Sequence, residues 1–276
     1  MKLTPFERRL AEVPYLYDRG QARAAAQAYW RLHGRKGTAR FLLLTEPSHN
    51  AKAAHTTAYK PWIHYLAPHT TAGLLPKGRV TATTLCPYST PQCRAGCLFT
   101  AGRNQFPEAQ SGKVLRTRFA WDEPQAYLSQ LYWEVVTATR DPNARIRLNG
   151  TSDVRWELIP MAPMNVTRFR GDPFYDYTKF PSDVRPRTPV PGYTLVRSAS
   201  ERTADAELAE WLKAGETVAV VSTKPMVNLS LDFGGAEVLN GDALGEAPAI
   251  EAHPGTIITL RPKGAARKLT PGGFVR

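Results

Sequence analysis

Three cysteines, Cys86, Cys93 and Cys97, lie within twelve residues, and the chain of 276 residues contains no others. Thiolates are soft metal ligands, so three of them on a short loop with proline and glycine predict a metal centre with one open coordination position. Three sulfurs suit a [4Fe–4S] cluster, because they bind three of its irons and leave the fourth iron for water or a substrate. We therefore expect a centre that takes part in a reaction.

Two other states of these cysteines remain open. A structural zinc ion requires a fourth protein ligand, for which His64 and His69 are the candidates. Either histidine alone is more often a structural residue than a ligand. Without a metal, the thiols would be buried as small hydrophobic groups, although such cysteines seldom cluster beside proline, glycine and arginine. An odd number of cysteines forms no disulfide framework, which indicates a reducing compartment that keeps the thiols free for a metal.

Short β-branched or aromatic runs recur along the chain, and each ends abruptly in small polar or charged residues. The runs that predict strands are residues 63–67, 146–148, 173–175, 193–196, 218–221, 238–239 and 257–260, with a further short strand at 41–44. Their spacing suits strands that alternate with helices. We therefore predict an α/β fold whose barrel-like core has about six to seven strands, with the cysteine loop past the carboxyl end of one of them.

Two segments have clear helical signals. Asp122 is the predicted N-cap of a helix that continues to Thr139, and Thr203 is the predicted N-cap of a helix that Gly215 ends. The connection at residues 181–192 contains four prolines and is predicted to be a loop.

The N-terminal part of the chain has a different character. Residues 5–34 are rich in alanine and charged residues and read as helical. The sequence therefore predicts a helical and loop extension at residues 1–60, followed by a (β/α) barrel-like domain at residues 61–276 that contains the cysteine loop.

Polar side chains follow most of the predicted strands. They are Asn149, Ser152, Asp153, Asp176, Lys179, Ser198, Ser200, Glu201, Lys224, Asp242 and Lys263. At the mouth of a barrel, hydroxyls and amides would bind a carboxylate or a ribose, acidic groups a ribose or an amino group, and lysines a phosphate. An alternative interpretation is that Asp153, Asp176 and Lys179 form a buried ion network, which perturbs pKa values without catalysis.

The chain is basic, with a formal net charge of +12 at pH 7. Residues 261–276 contain five Lys or Arg residues and no acidic residue. This charge favours nucleic acid or a phosphorylated small molecule as a partner, with simple solubility as the alternative. The sequence contains no apolar run of about 18 residues and no apolar N-terminal stretch, so we expect a cytoplasmic protein without membrane contact.

A set of motifs in fixed order resembles a known family. These are Cys-Pro-Tyr to Ala-Gly-Arg at 86–103, Arg-Leu-Asn-Gly-Thr-Ser-Asp at 147–153, Tyr-Asp-Tyr-Thr-Lys at 175–179, and Arg-Pro-Lys-Gly-Ala-Ala-Arg-Lys at 261–268. From about residue 63 onward the chain looks like the uncharacterised phage and prophage proteins related to mycobacteriophage gene product 88. That resemblance implies a protein of the host cytoplasm and transfers no established activity.

A more remote resemblance is to radical S-adenosylmethionine (SAM) enzymes, which carry a three-cysteine loop after the first strand of a partial (β/α) barrel. Their usual pattern is Cys-x3-Cys-x2-Cys, whereas this chain has Cys-x6-Cys-x3-Cys. The resemblance implies a [4Fe–4S] cluster with SAM at its open iron. By position, it implies that residues 149–151 bind the methionine amino group and that residues 198–201 bind carboxylate or ribose.

Together these interpretations give two sets of candidate residues beside the cysteines. The cofactor-binding candidates are Asn149, Gly150, Thr151, Ser152, Asp153, Ser198, Ser200 and Glu201, and the substrate-binding candidates are Asp176, Lys179, Lys224, Asp242 and Lys263.

The leading functional hypothesis is a radical SAM-like iron–sulfur enzyme that acts on a nucleotide, a nucleic acid or a host macromolecule and takes electrons from a donor. The main alternative is a non-enzymatic nucleic-acid-binding protein stabilised by zinc or a structural cluster. In that alternative the basic termini hold phosphates, and Tyr88, Phe99 and Trp156 stack on bases. A SAM-independent transferase on the same barrel is a third hypothesis.

Overall fold

A computed structural model of the protein describes residues 2–33, 42–49, 58–69 and 84–276. Eight strands form one sheet within these ranges. They are β1 (Leu44–Thr45), β2 (Lys60–His64), β3 (Ala144–Arg147), β4 (Phe174–Thr178), β5 (Tyr193–Ser198), β6 (Val218–Val221), β7 (Val238–Asn240) and β8 (Ile257–Leu260). The predicted α/β class is thus confirmed.

The strands lie in the order β1-β2-β3-β4-β5-β6-β8-β7. Only β1 is antiparallel to its neighbour, and the other pairs are parallel. From β2 to β6 each strand pairs with the next one along the chain. After β6 the order changes, because β8 pairs with β6 and β7 lies at the edge beside β8. Because these strands are parallel, their carboxyl ends meet at one edge of the sheet, where ligands of α/β proteins bind.

Nine α-helices surround the sheet in the described part of the chain. They are α1 (Pro5–Ala11), α2 (Arg19–His33), α3 (Pro91–Ala95), α4 (Pro107–Asp122), α5 (Pro124–Ala138), α6 (Pro163–Val166), α7 (Asp205–Lys213), α8 (Met226–Asp232) and α9 (Ala247–Glu251). None of these helices is long and apolar enough to cross a membrane. The proline-rich connection at residues 181–192 contains no helix, as predicted.

Both predicted helix caps are wrong, because a distant tyrosine uses one of these side chains and the preceding turn uses the other. Asp122 ends α4, and its carboxylate accepts a hydrogen bond from the Tyr29 hydroxyl (2.9 Å). Helix α5 begins at Pro124 without a side-chain cap. The Thr203 hydroxyl accepts a hydrogen bond from the Ser200 N–H (3.1 Å), and α7 begins at Asp205 instead.

The N-terminal helices pack on α4 and α5 and share their hydrophobic core. Phe119 of α4 stacks on Tyr29 of α2, with ring centroids 4.7 Å apart. A buried ion pair between Glu7 and Arg155 (2.6 Å) connects α1 to the segment after β3. The predicted 41–44 strand is shorter in the structure, where β1 covers Leu44–Thr45, and its first residue lies outside the described ranges.

Candidate functional site

The three cysteines line one cavity of about 240 Å³ at the carboxyl edge of the parallel strands. Residues that directly follow β3, β4, β7 and β8 complete its wall. The cavity therefore lies where parallel sheets bind ligands, and the cysteine loop, with α3, lies over the strand ends.

Most of the sequence-predicted site residues meet in this cavity. The lining includes Cys86, Cys93, Cys97, Asn149, Gly150, Thr151, Ser152, Asp153, Lys179, Ser198, Asp242 and Lys263. Four predicted residues do not line it, namely Asp176, Ser200, Glu201 and Lys224. Lys224 pairs with Asp232 (2.6 Å) on the surface. The Ser200 hydroxyl accepts a hydrogen bond from Arg202 N–H in the turn before α7.

Glu201 holds the cysteine loop in place. Its carboxylate accepts hydrogen bonds from the Thr90 hydroxyl (2.5 Å) and from the Gln92 N–H (2.8 Å). The Thr90 side chain in turn accepts from the Cys93 N–H (3.3 Å) at the start of α3. Glu201 follows β5, so this contact fixes the middle cysteine of the loop against the end of the sheet.

The thiols of Cys86 and Cys97 lie in surroundings that disfavour their ionised forms. Burial raises the pKa of both side chains. The Cys86 Sγ–H donates to the Thr151 carbonyl at 3.7 Å, which ties the first cysteine to the turn after β3. A metal would shift this balance, because a coordinated thiol is deprotonated.

The side chain of Asn149 shapes the turn after β3. Its Oδ1 accepts from the Ser152 hydroxyl (2.9 Å), the Val154 N–H (2.9 Å) and the Trp156 indole N–H (3.2 Å). Its Nδ2 donates to Asp176 (3.2 Å). The Asn149 amide is thus engaged with protein atoms, and the turn it shapes, residues 149–153, lines the cavity.

Gly150 allows this turn to lie close to β2. Its N–H donates to the carbonyl of His64 (2.9 Å). A Cβ at this position would lie 2.5 Å from the Tyr65 ring and 2.8 Å from the His64 carbonyl oxygen, closer than a real Cβ can approach. Only glycine fits between the two strand ends.

Asp153 and Asp176 belong to a buried ionic network below the cavity. Arg185 pairs with Asp153 (2.9 Å) and with Glu157 (2.8 Å). It also donates to the Tyr193 hydroxyl, which donates to Asp176 (2.8 Å). Burial raises the pKa of Asp176 to about 7. The two aspartates thus belong to a buried ion network and position the turn after β3 and the start of the segment after β4, while Asp153 also lines the cavity.

Two lysine ammonium groups lie beside the cysteines. Lys179 donates to the Ser198 hydroxyl (2.7 Å) and to the main-chain carbonyls of Ser198 and Ala199. Lys113 of α4 is 2% exposed, and it donates to Asn104 Oδ1 (2.7 Å). Within the described ranges neither lysine forms an ion pair with a carboxylate, and both lie within electrostatic reach of Cys97.

Lys113 is an unusual residue for such a position. Its ammonium lies over the rings of Tyr65 (5.5 Å) and Phe99 (5.1 Å). Burial lowers its pKa to about 8. Lysine is almost never fully buried without a partner of opposite charge, so the buried ammonium beside Cys97 is a distinctive feature of this site.

His64, one of the two candidate zinc ligands, is a structural residue whose ring nitrogens both bind protein atoms. This side chain is fully buried, its Nδ1–H donates to the Leu148 carbonyl (3.0 Å), and its Nε2 accepts from the Tyr127 hydroxyl (2.8 Å). His69 contacts the Thr84 hydroxyl through Nδ1 (2.5 Å). Among the described residues, no three His, Cys, Asp or Glu side chains form a group that could hold a metal ion.

A sequence model of the family named gene product 88 matches residues 42–269. The chain belongs to this family. No curated protein and no solved structure shows a significant match to the chain. Nearly all of the cavity lies in the part that the gene product 88 family shares, and Phe274 is the described lining residue that lies beyond it.

The sequence interpretation missed several residues of the cavity in this gene product 88 family member. Arg147, Tyr177, Arg261 and Phe274 line it as well. The Phe274 ring lies 5.3 Å from the Lys179 ammonium, and its N–H donates to Gln92 of α3 (2.8 Å). The C-terminal residues therefore form one wall of the site, which no local sequence pattern indicates.

Proposed function

We propose that the protein is an iron–sulfur enzyme of the radical SAM type, in which Cys86, Cys93 and Cys97 hold a [4Fe–4S] cluster. The observation that carries this proposal is the placement of all three cysteines in one cavity at the carboxyl edge of parallel strands, beside two lysines without carboxylate partners. The strand order from β2 to β6 supports a partial barrel, because consecutive parallel strands pair in sequence in such folds.

The charges around the cysteines favour an anionic occupant. A [4Fe–4S] cluster with three thiolate ligands carries a net negative charge in its oxidised and reduced states. Lys113 and Lys179 would balance this charge. Lys179 also lies within electrostatic reach of Asp153 and Glu201, whereas neutral thiols leave Lys113 without a counter-ion in the described ranges. Burial of Lys113 makes that balance important, because an uncompensated charge in a protein interior is costly.

The donor set fits a cluster better than a single zinc ion. A tetrahedral zinc gathers four ligands around one atom. Of the two candidate fourth ligands, His64 has both ring nitrogens engaged, whereas His69 contacts Thr84 through Nδ1. A cluster distributes its three thiolates over three irons, so the sulfurs lie farther apart than the ligands of one ion.

When bound, such a cluster supplies an electron for the reductive cleavage of SAM. The chain would hold the methionine part of SAM with the turn at residues 149–152 and with the Ser198 hydroxyl. The Lys179 ammonium lies where it would bind a carboxylate. Asp242 and Lys263, which pair with each other at 2.6 Å, would contact the substrate at the outer end of the cavity.

Anaerobic reconstitution with iron and sulfide tests this proposal. We expect about four irons per chain and an electron paramagnetic resonance signal of the reduced protein that SAM changes. Cys93→Ala should lose the signal, whereas Ala95→Ser, a matched change on the same loop, should keep it. Stoichiometric zinc without a cluster would instead favour a non-enzymatic nucleic-acid-binding protein.

The nucleic-acid-binding alternative includes three aromatic rings as stacking surfaces for bases. Phe99 is 7% exposed and Trp156 is fully buried, so the prediction that these rings stack on bases is wrong. Tyr88 is 37% exposed and stays a candidate.

A further inference from the structure

Two segments meet at the outer end of the cysteine cavity. One is the cysteine loop with the residues after it, 86–107, and the other is the C-terminal segment, 260–276. A Cβ on Gly264 would lie 2.9 Å from the Ala101 side chain, and one on Gly96 would lie 3.1 Å from the Ala266 side chain. The segments are thus in close contact, and Arg261 and Lys263 of the second one line the cavity.

These two segments contain no Asp or Glu residue. Four acidic groups lie close by in other parts of the chain. Glu108, which is exposed, directly follows the first segment at the start of α4. The other three contact side chains of the two segments. Asp242 pairs with Lys263 (2.6 Å), Asp205 pairs with Arg276, and Glu201 accepts from Thr90.

Four exposed cations remain in these segments without an ion pair to a carboxylate in the described ranges. We call them the basic rim, and they are Arg103, Arg261, Arg267 and Lys268. A group of exposed cations that form no ion pair with a carboxylate is the electrostatic pattern that phosphates bind.

Exposed apolar side chains lie beside the basic rim. Phe106 is 54% exposed and follows Arg103 by three residues, with its N–H bonded to the Arg103 carbonyl. Leu98 is 47% exposed and lines the cavity. An exposed aromatic ring next to arginines offers a surface on which a nucleic-acid base stacks.

We propose that the basic rim binds the phosphates of a single-stranded nucleic acid while Phe106 stacks on one base. A single strand is favoured over a duplex because its bases are free to stack on the ring and to enter a recessed cavity. The role of this strand as the substrate of the cysteine site rests on the proposed function, whereas its binding does not.

Salt-dependent binding of a labelled single-stranded oligonucleotide tests the proposal. Single strands lose affinity with a slope of about 0.7 in log–log terms for each phosphate neutralised. Changing all four rim residues to Gln should therefore lower the slope by up to about 3. Phe106→Ala should weaken binding about tenfold and leave the slope unchanged.

Arg140 and Lys213 provide the matched control. Both are exposed, and they precede β3 and β6, at the opposite edge of the sheet. Arg140→Gln with Lys213→Gln should leave the slope unchanged, and circular dichroism should show that every variant is folded. Three outcomes would overturn the proposal. They are an equal loss of salt slope in the control and rim variants, no oligonucleotide binding by the wild type, and binding of a duplex as tightly as of the single strand with no effect of Phe106→Ala.

The outcome is separate from that of the iron experiment. Cys93→Ala protein that is folded should still bind the oligonucleotide with the wild-type salt slope. If the protein binds the oligonucleotide but takes up no iron, the proposed enzyme is refuted and the proposed role of the basic rim stands. If it forms a SAM-responsive cluster but binds no oligonucleotide, the role of the basic rim is refuted and the proposed enzyme stands.

Discussion

Acid should destabilise this protein through one histidine that supports the site. His64 ends β2, and its two ring nitrogens connect it to Leu148 after β3 and to Tyr127 of α5. Its main-chain carbonyl accepts from Gly150 (2.9 Å). Protonation would put a second N–H on the ring, and this N–H would face the Tyr127 hydroxyl in a fully buried position. The charge of nearby Arg116 also disfavours the protonated ring.

The size of the effect follows from the pKa difference between the folded and unfolded states. Burial lowers the pKa of His64 from 6.5 to about 3. The folded state therefore resists a proton that the unfolded state accepts, and stability is lost as the pH falls below 6.5 toward 3. At pH 5 the loss is about 2 kcal/mol, and it approaches about 5 kcal/mol once the pH is below both values.

Urea unfolding of wild type and His64→Gln between pH 7.5 and pH 5 measures this effect. We expect wild type to lose about 2 kcal/mol more than the variant over this range. Contributions of other groups, including Asp176, cancel in the comparison because both proteins contain them. His49→Gln, at an exposed histidine, should follow the wild-type curve. Equal pH dependence in wild type and His64→Gln would refute the assignment of a neutral His64.

Two further substitutions test the supports of the cavity. Lys113→Met removes the buried ammonium beside Cys97, so the iron content and the reduction potential of the cluster should both fall. The metal-free variant should be no less stable than the metal-free wild type. Lys213→Met is the exposed control, and unchanged iron binding by Lys113→Met would refute the charge argument. Gly150→Ala places a methyl group against Tyr65 and should cost about 1–3 kcal/mol in urea unfolding, whereas Gly20→Ala should change stability by less than about 1 kcal/mol. A Gly150→Ala protein as stable as wild type would contradict the close approach.

The parallel strands could be predicted from sequence because each is a short apolar run that ends in polar residues. The run at 218–221 matches β6, whose residues are mostly buried, as in strands covered on both faces. The strand predicted at 63–67 begins earlier, at Lys60, and ends at His64. Beyond His64, the close approach of Gly150 takes the place of further strand pairing, and local sequence holds no sign of that contact.

The polar turn after β3 and the cysteine loop were also predictable, since both are compact motifs. The roles of Glu201 and Lys113 were not. Glu201 contacts Thr90 across 111 positions of sequence, and its own neighbourhood reads as an ordinary strand end. Lys113 lies in a helix where lysine is usually exposed, so only tertiary structure shows that it is buried beside Cys97.

The cations of this site fall into two sets with separate tasks. Lys113 and Lys179 lie beside the cysteines, where their charge suits an anionic cluster, while the basic rim lies in the solvent, where its charge suits phosphates. A negatively charged cluster would repel a polyanion, and the two lysines beside it would neutralise part of that negative charge. Exposed charges are screened by salt and buried ones much less. Salt should therefore weaken oligonucleotide binding through the rim while leaving iron content unchanged, and Lys113→Met should alter iron content without changing the salt slope.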